Sequence, residues 1–334
     1  MILPRQRFFL LMFLIAFMCI APPKGSNCQN VSSLMNANAP HGIAVHPLTS
    51  HVFVVEAGAN VITNYSDGGS QTFAGNRTAT AGYQDGPGLQ ARFVTPRGIA
   101  WHPLTGNWYI SDSTVLRMAT PSGDVTGVAG LVAQGSTVTD GIGSNARFKF
   151  IYGLVVANDT LFIVDQFGNC VRRMNVTTSN VTTVAGTGAT GFNNGNGSEA
   201  LFNDPTAIVA SSGGAILSTI ALFVADTRNH LIRRVEAPLL ARGRATSTVS
   251  TMTGIFSVTG DWKDGDCSEA QFNQPFGLAI MTPKANGTVF IYVSDGMNMV
   301  LRRVMLSNAR HPPCRWLTQK KIQFLYFIPS FSLA

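Results

Sequence analysis

The sequence predicts an all-β repeat protein, and three observations carry that prediction. The first is a hairpin phrase. Phe223 to Val235 reads FVADTRNHLIRRV, and FIVDQFGNCVRRM (Phe162 to Met174) and YVSDGMNMVLRRV (Tyr292 to Val304) repeat its grammar. The second is a loop phrase that ends in phenylalanine: DGPGLQARF to Phe93, DGIGSNARF to Phe148, NGNGSEALF to Phe202 and DGDCSEAQF to Phe272, at intervals of 55, 54 and 70 residues. The third is composition: Gly 33, hydrophobic residues 45% and charged residues only 12%. That profile fits many short strands joined by turns better than amphipathic helices.

Taken in order, the chain starts with Arg5 and Arg7, followed by an uninterrupted apolar run from Phe8 to Ala21 and then Pro22 and Pro23. A basic start, a short apolar stretch and a polar exit make a secretory signal pattern, assigned to residues 1–27. The run is 14 residues, short for a transmembrane helix. The repeat region is assigned to residues 28–309, and an unpatterned tail to residues 310–334.

Each repeat has four parts. An inner strand comes first: HGIAV (His41 to Val45), RGIAW (Arg97 to Trp101), YGLVV (Tyr152 to Val156), TAIVA (Thr206 to Ala210) and FGLAI (Phe276 to Ile280). The hairpin supplies the next two strands. An apolar run ends at a carboxylate, turn residues follow, and the chain resumes as a strand. The recurring carboxylates are Glu56, Asp112, Asp165, Asp226 and Asp295. In the last three copies an arginine pair sits in the third strand, and strand alternation puts one arginine on each face. YISDSTVLRM (Tyr109 to Met118) is a copy shortened in its turn. The first copy, FVVEAGANVITNY, has Glu56 for the aspartate and no arginines. A Thr/Val strand ends each repeat at Gly75, Gly130, Gly186 and Gly260. The fifth copy stops after its third strand.

The residues GIA, FVAD, NHLIRR, TVAG and DG…ARF…P resemble those of the NHL-repeat β-propellers over residues 41–305. That resemblance implies a ring of four-stranded antiparallel blades around a central channel, five-bladed or a truncated six-bladed ring. Radial packing also solves a physical problem. A sheet with two apolar faces buries both only between neighbours. Phe93, Phe148, Phe202 and Phe272 then read as wedges between blades, and Asp112, Asp165, Asp226 and Asp295 as turn caps that obey the ring's symmetry.

Charge excludes a nucleic-acid face. The net charge is +7, but residues 28–309 carry 17 basic and 17 acidic side chains, and the excess lies in the two ends. Asn-x-Ser/Thr sequons at Asn30, Asn64, Asn76, Asn158, Asn175, Asn180, Asn196 and Asn286 fit passage through the secretory pathway. Cys28, Cys170, Cys267 and Cys314 remain after the leader, and sequence alone does not pair them. No catalytic, cofactor-binding or metal-ligating set stands out. His46 and His102 both precede Pro-Leu-Thr, which reads as a turn. The expectation is a secreted or cell-surface propeller, without cofactor, that binds a protein or glycan ligand. A metal-dependent propeller hydrolase or lyase is the alternative. The tail from Ile322 to Ala334 raises a possible membrane tether, though 13 residues are too few to span a bilayer.

Overall fold

A computed structural model describes residues 37–132, 137–211, 219–239, 246–281 and 289–306. They form five antiparallel sheets arranged as the blades of a propeller. The first blade is β1 (Pro40–Val45), β2 (Val52–Glu56), β3 (Val61–Ser66) and β4 (Gly69–Ala74). The second is β5 (Pro96–Trp101), β6 (Trp108–Asp112), β7 (Val115–Ala119) and β8 (Val125–Gly130). A two-residue strand, β9 (Gly141–Ile142), joins the outer edge of the third blade, β10 (Ile151–Ala157), β11 (Thr160–Asp165), β12 (Cys170–Asn175) and β13 (Asn180–Ala185). Its counterpart β14 (Gly195–Asn196) edges the fourth, β15 (Pro205–Ala210), β16 (Thr219–Asp226), β17 (Leu231–Pro238) and β18 (Thr248–Thr253). The fifth comprises β19 (Pro275–Met281), β20 (Val289–Asp295) and β21 (Val300–Leu306). Among the described residues the helical structure is limited to three 3₁₀ turns, at Gly88–Gln90, Gly143–Asn145 and Thr227–Asn229.

Four apolar cores hold successive blades together, and each is seeded by one loop phenylalanine. Phe93 lies among Phe53, Ile62, Trp108 and Ile110 of the first two blades. Phe148 sits with Leu116, Leu161 and Ile163, Phe202 with Phe162, Val164 and Leu222, and Phe272 with Phe223, Ile232 and Val293. All four rings are at most 1% exposed. Burying such a side chain contributes about 1.5–3 kcal/mol.

Above each wedge ring sits a buried arginine, and its partners repeat from blade to blade. Arg117, Arg172, Arg233 and Arg302 lie over Phe93, Phe148, Phe202 and Phe272 at 5.1, 5.0, 5.1 and 4.4 Å. Each faces the carboxylate that ends the second strand: Asp112 at 3.1 Å, Asp165 at 3.8 Å, Asp226 at 2.7 Å and Asp295 at 3.1 Å. The other guanidinium nitrogen reaches the loop phrase, at Asp85, Asp140, Asn194 and Asp264. The same carboxylates accept backbone N–H groups just after the wedge, from Val94 and Thr95, Lys149 and Phe150, Asn203, and Asn273. Burial pushes each carboxyl up from its ordinary range, and these donors and the guanidinium pull it back. The Asp–Arg pair therefore ties turn, loop and wedge into one unit. The second arginine of each pair, as at Arg173 and Arg234, occupies the opposite, less buried face.

The first blade reaches the same result by another route. Glu56 is buried, and its guanidinium comes from Arg77, beyond the fourth strand, at 2.6 Å. Thr63 and the Asn38 N–H complete the set. Burial alone raises the Glu56 carboxyl, but these partners outweigh it and hold the group below its usual range.

Candidate functional site

The Asp–Arg–Phe units obey the ring's symmetry, so they are scaffold. A site that distinguishes one ligand needs positions that break that symmetry. One position does so. In every blade the first residue of the inner strand pairs with the carboxylate that ends the second strand: Pro40 with Glu56, Pro96 with Asp112, Ile151 with Asp165, Pro205 with Asp226 and Pro275 with Asp295. A bulge follows each of these pairs. Bulges re-aim side chains. The residues in the five bulges are His41, Arg97, Tyr152, Thr206 and Phe276, five different residue types.

Tyr152 shows where they converge. Its hydroxyl lies 2.8 Å from Nδ1 of His41, two blades away. Its ring meets Phe276 of the fifth blade edge-on at 5.3 Å, and Phe150 at 6.3 Å. Contacts among blades one, three and five place this ring in the central channel. Phe150 in turn packs on the exposed Phe167, at 5.2 Å, in the hairpin turn at the same end of the third blade. Thr206 is turned to the wall, where its hydroxyl donates to the Phe276 carbonyl at 2.7 Å.

The glycines explain how the inner strands approach so closely. A Cβ at Gly42 would meet the Arg97 carbonyl at 2.4 Å, and one at Gly98 the Tyr152 carbonyl at 2.3 Å. Gly153 stands in the same relation to Thr206. The Gly-Ile-Ala strands therefore make room for the neighbouring backbone, and the residue before each glycine is left to face the channel.

Electrostatically the mouth carries one cation. Burial, aided by Arg97, pushes His41 down to about 3, so its imidazole is neutral at physiological pH. Burial pushes the Tyr152 phenol up, against the pull of Arg97, so it is also neutral. Arg97 itself is half-buried, and burial lowers its pKa. Among the described residues no carboxylate lies within ion-pair distance of it. The four wedge arginines all have one.

A second concavity, a groove of about 610 Å³, opens between the first two blades. His46, His51, Phe73, Trp108 and Leu89 line it. Asn64 also faces it, with its amide 3.4 Å from Nδ1 of His51. His46 and His102 occupy equivalent turns, and each accepts a threonine N–H at 3.3 Å, from Thr49 and Thr105.

The sequons fall into distinct settings. Asn64 is half-buried in the groove, and Asn76 caps its own turn by accepting from Thr78 and Ala79. Asn158, Asn175, Asn180 and Asn196 are exposed. Asn30 and Asn286 lie outside the described residues, as do residues 1–27 and 310–334. Cys170 is buried, whereas Cys267 is disulfide-bonded. Among the described residues no group of three or more His, Cys, Asp or Glu side chains gathers to hold a metal, and no helix is long and apolar enough to cross a membrane.

No family model matches the chain. NHL repeat-containing protein 2 of Bos taurus is 28% identical over 194 residues, covering 53% of this chain and 24% of that protein. The chain is a β-propeller, similar in sequence to that NHL-repeat protein over these 194 residues. Protein SUPPRESSOR OF QUENCHING 1, chloroplastic, of Arabidopsis thaliana is 29% identical over 216 residues, or 60% of this chain and 19% of that one. The chain thus spans about a quarter or less of the length of these relatives. Among solved structures, an auxiliary nutrient binding protein from Bacteroides ovatus superposes with a TM-score of 0.58 at 15% identity, covering 81% of this chain and 60% of its own. That likeness concerns the fold alone.

The five bulge residues went unremarked in the sequence reading. The signal was present: one position changes type in every copy of an otherwise repetitive strand.

Proposed function

We propose that this β-propeller is a ligand-binding module of the secretory pathway, and that its ligand is received at the channel mouth formed by His41, Arg97, Tyr152, Thr206 and Phe276. One observation carries the reading: five unlike side chains occupy equivalent bulges, and three of them meet across the channel. A rigid ring that presents non-repeating side chains at one point has the form of a binding site on a scaffold. The leader pattern, the exposed sequons and the disulfide at Cys267 support an extracellular or cell-surface location, since disulfides persist in oxidising compartments. Residues 1–27 are proposed as the signal and 28–309 as the propeller. Expression in eukaryotic cells tests both the signal and the tail, and release into the medium with the C-terminal peptide still attached would exclude a tether.

Ligand-observed NMR of the purified full chain against a mixed set of small metabolites and oligosaccharides tests this reading. Binding that is lost in Tyr152→Ala and Phe276→Ala, with unfolding still cooperative, is the expected result. Binders indifferent to both substitutions would place the site elsewhere, the groove between the first two blades being the next place to look. The metal-dependent hydrolase or lyase reading is tested by metal analysis of the same preparation, where one stoichiometric, tightly held cation would favour it.

A further inference from the structure

Among the described residues, the channel mouth has one cationic group, Arg97, without an acidic partner, and its neighbours His41 and Tyr152 are neutral. Each of the four wedge arginines is compensated by a carboxylate of its own blade, at 2.7 to 3.8 Å. Arg97 has no such partner among the described residues, although most of its surface is withdrawn from water. A partly buried charge without a counter-charge costs stability. A perturbed ionisable group in a cleft is a candidate functional group.

We propose that the channel mouth binds a small carboxylic acid as its anion, with Arg97 as the counter-ion and Tyr152, Phe150 and Phe276 enclosing the organic part. This rests on the reading of the channel as the ligand site. The planar guanidinium fork matches a carboxylate bidentately. Charge argues for a monoanion, because Arg97 stands beside a neutral imidazole and a neutral phenol, and one positive charge balances a carboxylate and leaves a phosphate dianion half compensated. The walls argue for an organic acid, because Tyr152 meets Phe276 edge-on and Phe150 continues the apolar lining to the exposed Phe167. Neutrality of His41 is itself favoured by Arg97, so the cation keeps its neighbour from adding a second charge.

Calorimetric titration and thermal melting of the full chain with benzoate, benzamide and phenyl phosphate test the assignment. Benzoate is expected to bind saturably and to raise the melting temperature, with benzamide at least tenfold weaker. R97Q should lose benzoate at least tenfold, and R97K, which keeps the charge without the fork, should fall between them while confirming that the site still folds. Benzoate that fails to bind, or that binds R97Q as well as the parent, overturns the proposal. Tighter binding of phenyl phosphate than of benzoate overturns it in favour of a phosphate ester. If benzamide binds as well as benzoate and F276A abolishes both, the carboxylate assignment falls while the channel remains the ligand site. If no probe depends on Arg97, Tyr152 or Phe276, both readings fall.

Discussion

The Tyr152 hydroxyl lies 2.8 Å from Nδ1 of His41 and links the third blade to the first across the channel. Residues 111 positions apart are joined through a space that neither strand occupies. The contact couples blades that share no core.

Removing that hydroxyl should loosen the ring without unfolding it. Tyr152→Phe is expected to destabilise by about 0.5–1.5 kcal/mol, the net worth of one hydrogen bond. Chemical denaturation checks this, and a variant as stable as the parent would mean that the link contributes nothing in solution.

His41 should make stability depend on pH. Its folded value is depressed to about 3 by burial, with a smaller contribution from Arg97. The unfolded imidazole titrates near 6.5. Between these values the unfolded chain binds a proton that the native protein does not, so stability falls as pH drops from about 6.5 toward 3. Measured across this window, His41→Asn should show a shallower slope than the parent. Equal slopes would assign the effect to other groups.

The wedge rings should be costly to remove. Phe148→Ala is expected to destabilise by about 3–5 kcal/mol, because the ring is 1% exposed and supports Arg172 above it. Thermal unfolding that matched the parent would contradict this packing.

The buried ion pairs should be strongly coupled. Arg233→Leu leaves Asp226 buried without its cation and is expected to cost about 3–5 kcal/mol. The double variant Asp226→Leu, Arg233→Leu should cost less than the sum of the singles. At Glu56 the cation is Arg77, whose side chain is 42% exposed, so Arg77→Leu should cost less than Arg233→Leu. A double-mutant cycle on each pair decides the matter.

The disulfide can be mapped directly. Cys267 is disulfide-bonded. Non-reducing peptide mapping should recover the Cys267 peptide joined to another cysteine peptide of the chain. A free thiol at Cys267 would refute the assignment.

What a reader can take from the sequence follows the reach of each interaction. The hairpin phrase from Phe223 to Val235 places Asp226 and Arg233 seven residues apart on facing strands, so local pairing alone brings them together and the repeated spelling exposes it. Phe93, Phe148, Phe202 and Phe272 are equally legible, because one blade-to-blade seam is built four times from the same loop. The sequence by itself therefore determined the strand class, the blade repeat and the wedge. It ended the fourth repeat's outer strand at Gly260, however, where the structure ends β18 at Thr253 with Gly254 in the equivalent place.

Tertiary structure decided the rest. Arg77 lies 21 positions after Glu56 and outside the repeat grammar, and only the folded first blade brings them to 2.6 Å. The channel residues are separated by whole blades, and no local pattern joins His41 to Tyr152 or Tyr152 to Phe276. Their meeting depends on ring closure, which turns five bulges toward one axis. Repetition marks what every blade needs to pack. A binding point needs side chains that differ, and these become neighbours only when the ring has formed.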